Sequence, residues 1–108
     1  MANQSFVICL TTIDSELRAE ELALKIIHSR LGACVNISQI NSLYLWEGSI
    51  KKVTEYQLMI KTRSTLSNKI KLFINNNHKY DIPEIIFIPV NDGNTEYFNW
   101  LDKNIYQI

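Results

Sequence analysis

Residues 33–62 read ACVNISQINSLYLWEGSIKKVTEYQLMIKT, two apolar segments on either side of one turn. Glu47-Gly48-Ser49 predicts that turn, because glycine accepts the positive backbone φ that a tight hairpin turn requires. The return arm alternates like a strand with one buried face, and its apolar side carries Tyr56, Leu58 and Ile60. The stretch therefore predicts a long central β-hairpin with arms at 33–46 and 50–62 and an irregularity near Asn41-Ser42.

One strand and one helix are predicted before the hairpin. Residues 5–12 are almost wholly apolar from 6 to 10, which is typical of a central strand covered on both faces. For the helix that follows, we expect Asp14 as the N-terminal cap and Gly32 as the stop. Its apolar residues recur at helical spacing on one face: Ala19, Leu22, Ala23, Ile26 and Ile27.

Three further elements are predicted after the hairpin. A second helix begins near Ser64, and its apolar face carries Leu66, Ile70, Phe73 and Ile74. Residues 84–90 form the last strand, and Asp92-Gly93-Asn94 forms a turn and a helix cap. A terminal helix follows, with Tyr97, Phe98 and Leu101 on one side. The order predicts one α+β domain over 1–108, a ferredoxin-like βαββαβ sandwich with a C-terminal helix.

The predicted hairpin is longer than the helices that would cover it. Each arm reaches roughly 40 Å at ~3.3 Å per residue, whereas the helix over 14–30 reaches about 25 Å. Its tip is apolar on both faces, with Tyr44 and Trp46 on one and with Leu43, Leu45 and Ile50 on the other. We expect a second copy to cover Tyr44 and Trp46. The alternative is that the hairpin curls back and Trp46 caps the local core.

Composition argues against several classes of protein. The 108 residues carry 11 basic and 11 acidic side chains, a formal net charge of +0, whereas nucleic-acid-binding proteins show a basic excess. No apolar run approaches the ~20 residues of a membrane span, and the first residues lack the pattern of a signal peptide. We therefore expect a cytoplasmic protein without a nucleic-acid or membrane partner. Cys9 and Cys34 lack CxxC spacing and are interpreted as buried hydrophobes.

Several segments together resemble the CutA (divalent-cation tolerance) family. They are, in chain order, 33–37, 42–50, 60–62, 78–85 and the tail residues Pro89, Gly93, Tyr97 and Trp100. The resemblance implies a ferredoxin-like subunit, a tightly packed homotrimer and a fold shared with PII-type signalling proteins. It also implies a role in the tolerance of divalent cations, with copper binding described for some members.

The resemblance further implies the positions of a ligand site and an interface. A cleft between subunits is expected to be lined by Trp46, Lys61, Tyr80 and Glu84. It would hold a small polar ligand, or else its charged side chains would form an interface ion pair. The trimer interface is expected to contain Tyr44, Trp46 and Trp100.

Copper favours imidazole and thiolate ligands, and His78 is the candidate metal ligand. Relatives described as copper-binding carry a Cys in place of Thr11 and a second histidine in place of Asn77. Both replacements are poor donors, so Cys9, on the same strand face as Thr11, would have to supply a shifted thiolate. We expect no required cofactor, and Cu(II) or another divalent cation bound only weakly.

The sequence thus favours a homotrimeric CutA-like protein, not an enzyme, that acts in divalent-cation (copper) tolerance as a binding or signalling module. A PII-like trimer that binds a small regulatory ligand without a specific metal site is one alternative. A small acylphosphatase-like hydrolase is another, but residues 11–14 hold neither the Gly nor the Arg of a phosphate cradle.

Overall fold

The computed structural model of the chain describes residues 5–107. Its elements, along the chain, are β1 (Phe6–Ile13), α1 (Glu16–His28), β2 (Cys34–Trp46), β3 (Ser49–Arg63), α2 (Ser67–Asn77), β4 (Ile86–Pro89) and α3 (Thr95–Lys103). A short 3₁₀ turn, Ser64–Leu66, leads from β3 into α2. None of the helices within residues 5–107 is long and apolar enough to cross a membrane.

The four strands form one antiparallel sheet in the order β2-β3-β1-β4. β1 is central, as its continuous apolar run predicts. Helices α1 and α2 pack on one face of the sheet, and the core there includes Cys9, Ile13, Leu22, Ile26, Leu58, Ile60, Leu66, Ile70 and Ile74. This is the predicted α+β ferredoxin-like sandwich, and the predicted hairpin arms are confirmed to within one or two residues.

Helix α1 begins one residue later than predicted. The N-cap is Ser15, whose hydroxyl accepts a hydrogen bond from the backbone N–H of Arg18 at 3.3 Å. Asp14, the predicted cap, instead pairs with the ammonium group of Lys79 at 3.2 Å. The prediction of Asp14 as the N-cap was wrong. Asp14 and Ser15 are adjacent and both residue types can cap a helix, but Asp14 pairs with Lys79 and Ser15 is the cap.

Helix α1 also ends at a different residue from the predicted one. The residue with positive φ is Arg30, at 61°, and not Gly32. The amide of Leu31 donates to the carbonyl of Ile26 at 3.1 Å, and the amide of Arg30 donates to that of Ile27 at 3.0 Å. These two bonds form a Schellman motif, with Ile26 and Leu31 both buried as its hydrophobic contact. The helix therefore stops two residues before the predicted glycine.

Gly32 has a packing role instead. A Cβ atom at this position would lie 2.7 Å from Cγ2 of Ile60 and 3.1 Å from Cγ2 of Ile26. Glycine is therefore needed where the chain leaves α1 and passes close to β3, because any side chain would overlap two buried isoleucines.

Helix α3 covers the end of the opposite sheet face. Phe6 and Arg63 are cross-strand partners on that face, and the ring of Phe98 stacks on Phe6 with centroids 4.9 Å apart. The guanidinium of Arg63 pairs with the carboxylate of Asp102 at 2.5 Å. Leu101 is buried between these two contacts along α3. The sheet is thus covered on both faces near α3 but not along its whole length.

The last strand is shorter than the predicted 84–90. Its ladder with β1 runs only from Ile86 to Pro89. The amide of Val90 still donates to the carbonyl of Phe6 at 3.0 Å. Glu84 lies before the ladder, next to Pro83, whose missing N–H and fixed φ disfavour strand pairing there. Glu84 consequently belongs to the loop between α2 and β4.

The β2–β3 ladder has no irregularity. Its register is continuous over all 13 residues of β2. Asn41 pairs with Thr54 and Ser42 with Val53, so the expected break at these two positions is wrong. β-Branched partners on β3 support regular pairing there.

The tip of the hairpin projects from the domain. β1 pairs with β3 only as far as Tyr56, so residues 49–55 of β3 and their partners in β2 have no third strand beside them. These seven pairs extend about 23 Å at ~3.3 Å per residue, which accounts for the elongated dimensions of 50 × 25 × 22 Å. Leu45 is 70% exposed and Trp46 is 49% exposed, so the tip does not curl back to bury them.

The close approach at Gly32 can be tested by substitution. We expect Gly32→Ala to lower the free energy of unfolding by about 1–3 kcal/mol, the usual range for an overpacked core. Arg30→Gly, two residues earlier, is the matched control and should raise it by about 0.5–1 kcal/mol, because glycine adopts positive φ without strain. Urea unfolding followed by circular dichroism measures both. Equal stability of Gly32→Ala and the wild type would contradict the packing role.

Candidate functional site

A pocket of about 670 Å³ lies where the projecting hairpin meets the loop between α2 and β4. Strand alternation places its lining residues Tyr44, Trp46, Lys51 and Glu55 on the sheet face opposite α1 and α2, because cross-strand partners share a face. The loop supplies the other wall. Its lining includes Tyr44, Trp46, Lys51, Glu55, Tyr80 and Glu84.

Glu55 is a buried acid within this pocket. It is only 6% exposed, and its Oε2 accepts a hydrogen bond from the hydroxyl of Tyr80 at 2.8 Å. The sequence pattern does not single out Glu55, since this residue occupies the polar side of an alternating strand, which usually faces water. Only the position of the loop over that side makes it a buried residue.

His78 holds the loop in place. Its Nδ1 accepts a hydrogen bond from the backbone N–H of Tyr80 at 3.0 Å. Its Nε2 lies 2.7 Å from the carbonyl of Thr12, so this nitrogen carries the proton and donates it. The ring also contacts that of Tyr80, with centroids 4.7 Å apart. His78 therefore fixes the loop to the end of β1 and directs Tyr80 towards Glu55.

These contacts bear on the predicted metal ligand. Both ring nitrogens of His78 are already engaged in hydrogen bonds, so a metal would have to displace one of them. Within residues 5–107, no three His, Cys, Asp or Glu side chains form a group that could hold a metal ion. His78 as a copper ligand stays a prediction without support from this geometry.

The predicted thiolate donor does not reach the pocket. Cys9 is fully buried on the helix-covered face of the sheet, and burial raises the pKa of its thiol to about 12. It is therefore a protonated, buried thiol at neutral pH, as expected of a small hydrophobe. Thr11 is buried on the same face. Cys34 is only half-buried, on an edge strand.

Three of the four predicted cleft residues come together, and the fourth does not. Trp46, Tyr80 and Glu84 line the pocket. Lys61 lies elsewhere, with its ammonium 5.7 Å from the ring centroid of Tyr97 on α3. Lys61 therefore does not line the pocket of one protomer, because β3 carries it towards the α3 end of the sheet, and its place in a cleft between subunits stays a prediction.

The predicted interface residues lie in two separate places. Tyr44 and Trp46 line the pocket near the hairpin tip. Trp100 stacks on Tyr97 with centroids 5.6 Å apart and remains 46% exposed. These side chains are accessible in one protomer, and their burial by another copy stays a prediction.

The charge of the pocket is negative. Glu55, Asp81 and Glu84 contribute three carboxylates, whereas Lys51 contributes one ammonium group. Burial, together with the charge of Glu55, raises the pKa of Glu84. Burial and the hydrogen bond to Glu55 raise the pKa of Tyr80, so its hydroxyl remains a donor at neutral pH. The pocket combines carboxylates with aromatic walls, which suits a small ligand that is partly apolar.

Comparison with known proteins decides the family. The family model described as "CutA1 divalent ion tolerance protein" matches residues 7–104. The chain belongs to the CutA family. It is 37% identical over 98 residues to the divalent-cation tolerance protein CutA of Thermus thermophilus, covering 90% of this chain and 95% of that protein. It is 38% identical over 99 residues to the chloroplastic CutA of Arabidopsis thaliana, covering 91% of this chain and 54% of that protein.

The solved CutA structures agree with this assignment. CutA1 from Oryza sativa superposes with a TM-score of 0.94 at 35% identity, covering 97% of each chain. CutA1 from Pyrococcus horikoshii superposes with a TM-score of 0.91 at 34% identity, covering 94% of this chain and 99% of that one. The CutA chain described here spans about half the length of several plant and animal relatives that it matches.

The raised pKa of Glu84 predicts how the folding stability of this chain depends on pH. If the pKa of a carboxyl group is higher in the folded state than in the unfolded state, the protein becomes less stable as pH rises from the unfolded-state pKa, ~4.3, through the folded-state pKa. We therefore expect Glu84→Gln to be more stable than the wild type at pH 7 and equally stable at about pH 3.5.

Urea midpoints at the two pH values measure this difference. Glu20→Gln is the matched control, because it removes the same charge from an exposed position on α1, and its effect should be small at both pH values. A Glu84→Gln variant that is less stable than the wild type at pH 7 would show that the carboxylate is stabilising.

Proposed function

We propose that this CutA-family chain is a homotrimeric binding module, not an enzyme, and that it acts in the tolerance of divalent cations. The projecting apolar hairpin supports the proposed assembly, and the pocket at its foot supports the proposed binding role. The family supports the connection with divalent cations, since relatives carry that description. Each part can be tested separately.

The hairpin tip supports assembly because its exposed surface is unusually apolar. On one face Tyr44 and Trp46 are exposed, and three more apolar side chains are exposed elsewhere on the tip: Leu43, Leu45 and Ile50. Contiguous apolar surface of this kind normally marks an interface. Aromatic side chains are also frequent energetic centres of interfaces. Another copy is the partner that a closed, symmetric assembly would supply.

The sheet edges favour the same conclusion. In the sheet of the described residues, β2 and β4 are edge strands, and β2 has 13 residues. Long edge strands are usually protected against uncontrolled pairing. Pairing between copies would protect them. The number three rests on the resemblance to CutA and not on the protomer.

In such a trimer, the Lys61 that lines the cleft would belong to a neighbouring copy and not to the protomer that supplies Glu84. Within its own protomer it lies six residues from Glu55 along β3, about 20 Å at ~3.3 Å per residue. Symmetry can bring Lys61 of one copy beside Glu84 of another. The pocket would then be completed between subunits, which is the arrangement that the predicted cleft requires.

A trimer that binds a small organic ligand and has no dedicated metal site is the second candidate. The aromatic walls and the size of the pocket favour it, since small-molecule sites measure ~300–1,000 Å³. A hydrolase is less favoured, since residues 11–14 hold neither the Gly nor the Arg of a phosphate cradle. We also propose a cytoplasmic location, although relatives described as chloroplastic and periplasmic exist.

Assembly is tested by the mass of the protein in solution. We expect light scattering to give about 38 kDa, three times the 12.6 kDa of one chain. Trp46→Ala and Leu45→Ala should weaken the trimer by about tenfold or more, because truncating an interface anchor costs about 2 kcal/mol. The matched control is Leu17→Ala, since Leu17 on α1 is 66% exposed and Leu45 is 70% exposed. A monomer at micromolar concentration would refute the proposal.

Metal binding is tested by calorimetric titration with Cu(II). If His78 binds the ion, it must give up a hydrogen bond, so we expect weak affinity that is lost in His78→Ala. His28→Ala is the matched control, since His28 is exposed at the end of α1, and it should bind as the wild type does. Binding that persists in His78→Ala would place the ion elsewhere and remove the proposed ligand.

A further inference from the structure

The C-terminal segment passes from one face of the sheet to the other. On the face away from α1 and α2, Asp102 of α3 pairs with Arg63. Three residues later, Ile105 is only 2% exposed and belongs to the core between the sheet and those two helices. Of residues 95–107, only Ile105 is a member of that core. The chain therefore crosses the end of the sheet between Asp102 and Ile105.

Tyr106 fixes the tail between α1 and α2. Its backbone N–H donates to the carbonyl of Arg30, just after α1, at 2.6 Å. The ammonium group of Lys69, in the first turn of α2, lies 5.6 Å from the centroid of its ring. Arg30 is the residue with positive φ in the Schellman motif, so the turn that ends α1 also supplies the acceptor for the tail. These contacts hold the neighbouring Ile105 in the core.

Helix α3 depends on such contacts because it is short. It has nine residues, of which Leu101 is the buried one, and isolated helices shorter than about 12 residues are marginal in water. Residues 91–94, which precede it, are exposed and belong to no helix or strand. Segments with few buried apolar side chains open at a lower free energy than the rest of a protein. We therefore expect α3 and the tail to open together.

Helix α3 also contacts Lys61. The ammonium group of Lys61 lies 5.7 Å from the ring centroid of Tyr97, a distance at which an aromatic face attracts a cation. A lysine has a long, flexible stem, so its charge has no fixed position without such a partner. The position of α3 therefore restricts where the charge of Lys61 lies.

We propose that residues 94–107 form a C-terminal clamp that opens and closes on the sheet as one unit, that Ile105 is its latch, and that the closed clamp positions Lys61. The latch lies on the helix-covered face of the sheet, whereas the pocket and Lys61 lie on the other face. A neighbouring copy on that other face does not supply the contacts of Ile105. The clamp is independent of the proposed function, and only the role of Lys61 in a cleft rests on it.

Hydrogen exchange of the intact protein, followed residue by residue with NMR, tests the latch. We expect amides of α3 to exchange faster than those of β1 and with a weaker dependence on urea, because local opening exposes less surface than global unfolding. Ile105→Ala should accelerate exchange in α3 by about tenfold or more.

Ile74→Ala is the matched control, since Ile74 on α2 is a fully buried isoleucine of the same core. It should accelerate exchange in β1 but not in α3, because the contacts of Ile74 remain when the clamp opens. If circular dichroism shows that either alanine variant does not fold, Ile105→Val and Ile74→Val should give the same pattern with about threefold effects.

The side chain of Lys61 reports the position of the clamp. Reductive ¹³C-methylation keeps the charge of lysines and gives each an NMR signal, and Lys61→Arg assigns that of Lys61. Tyr97→Leu should move this signal because the ring current is lost, and Tyr97→Phe should not. Ile105→Ala should move it in the same direction as Tyr97→Leu, whereas Ile74→Ala should leave it unchanged.

Three results would overturn the inference. Amides of α3 and β1 that exchange with the same urea dependence would show that α3 is not a separate unit. Exchange in α3 that is unchanged in Ile105→Ala would refute the latch, and acceleration in Trp100→Ala instead would assign the hold on α3 to a neighbouring copy. A Lys61 signal unaffected by Tyr97→Leu would refute the positioning. Light scattering on the same samples separates these results from assembly, since a monomer with a latched clamp refutes only the trimer.

Discussion

The antiparallel register between β2 and β3 is the constraint on which the candidate site depends. Side chains alternate between the two faces of a strand, so a slip of one residue would move every hairpin side chain to the opposite face. A two-residue turn holds the register, with φ of 50° at Glu47 and 81° at Gly48 and with Trp46 paired to Ser49. Positive φ at both positions is the geometry of a type I′ turn, whose twist matches that of the strands. Tyr44, Trp46 and Glu55 share a face because this register is maintained.

The loop after α2 turns that face into a pocket. His78 attaches the loop to the end of β1 through the carbonyl of Thr12, and Tyr80 attaches it to β3 through Glu55. Each contact joins segments that are far apart in sequence. Because Glu55 is covered by the loop, the charge of the pocket depends on the loop as much as on the hairpin. The loop and the hairpin thus act as one unit.

Most of the fold could be predicted from the sequence, because periodicity and turn residues identify the elements and their order. Its local details could not. Ser15 replaced Asp14 as the cap and Arg30 replaced Gly32 as the residue with positive φ, since neighbouring residues compete for each role and tertiary contacts select between them. In the site, alternation shows which face Glu55 and Lys61 occupy, but it does not show what covers that face. The sequence therefore indicated Trp46, Tyr80 and Glu84 and missed Glu55, while Lys61, which lies outside the pocket of one protomer, stays a prediction for a cleft between subunits.

Within one protomer the pocket contains Glu55 and not Lys61, so its charge is negative, whereas the charges of Lys61 and Glu84 alone would balance. The proposed trimer would make the size of that charge depend on assembly, since a neighbouring Lys61 would add a positive charge that one protomer lacks. Trp46 connects ligand binding with assembly, because it lines the pocket and also belongs to the apolar tip that another copy would cover. A ligand that binds differently to an exposed and to a covered Trp46 shifts the assembly equilibrium, and by linkage assembly changes the affinity for that ligand by the same factor.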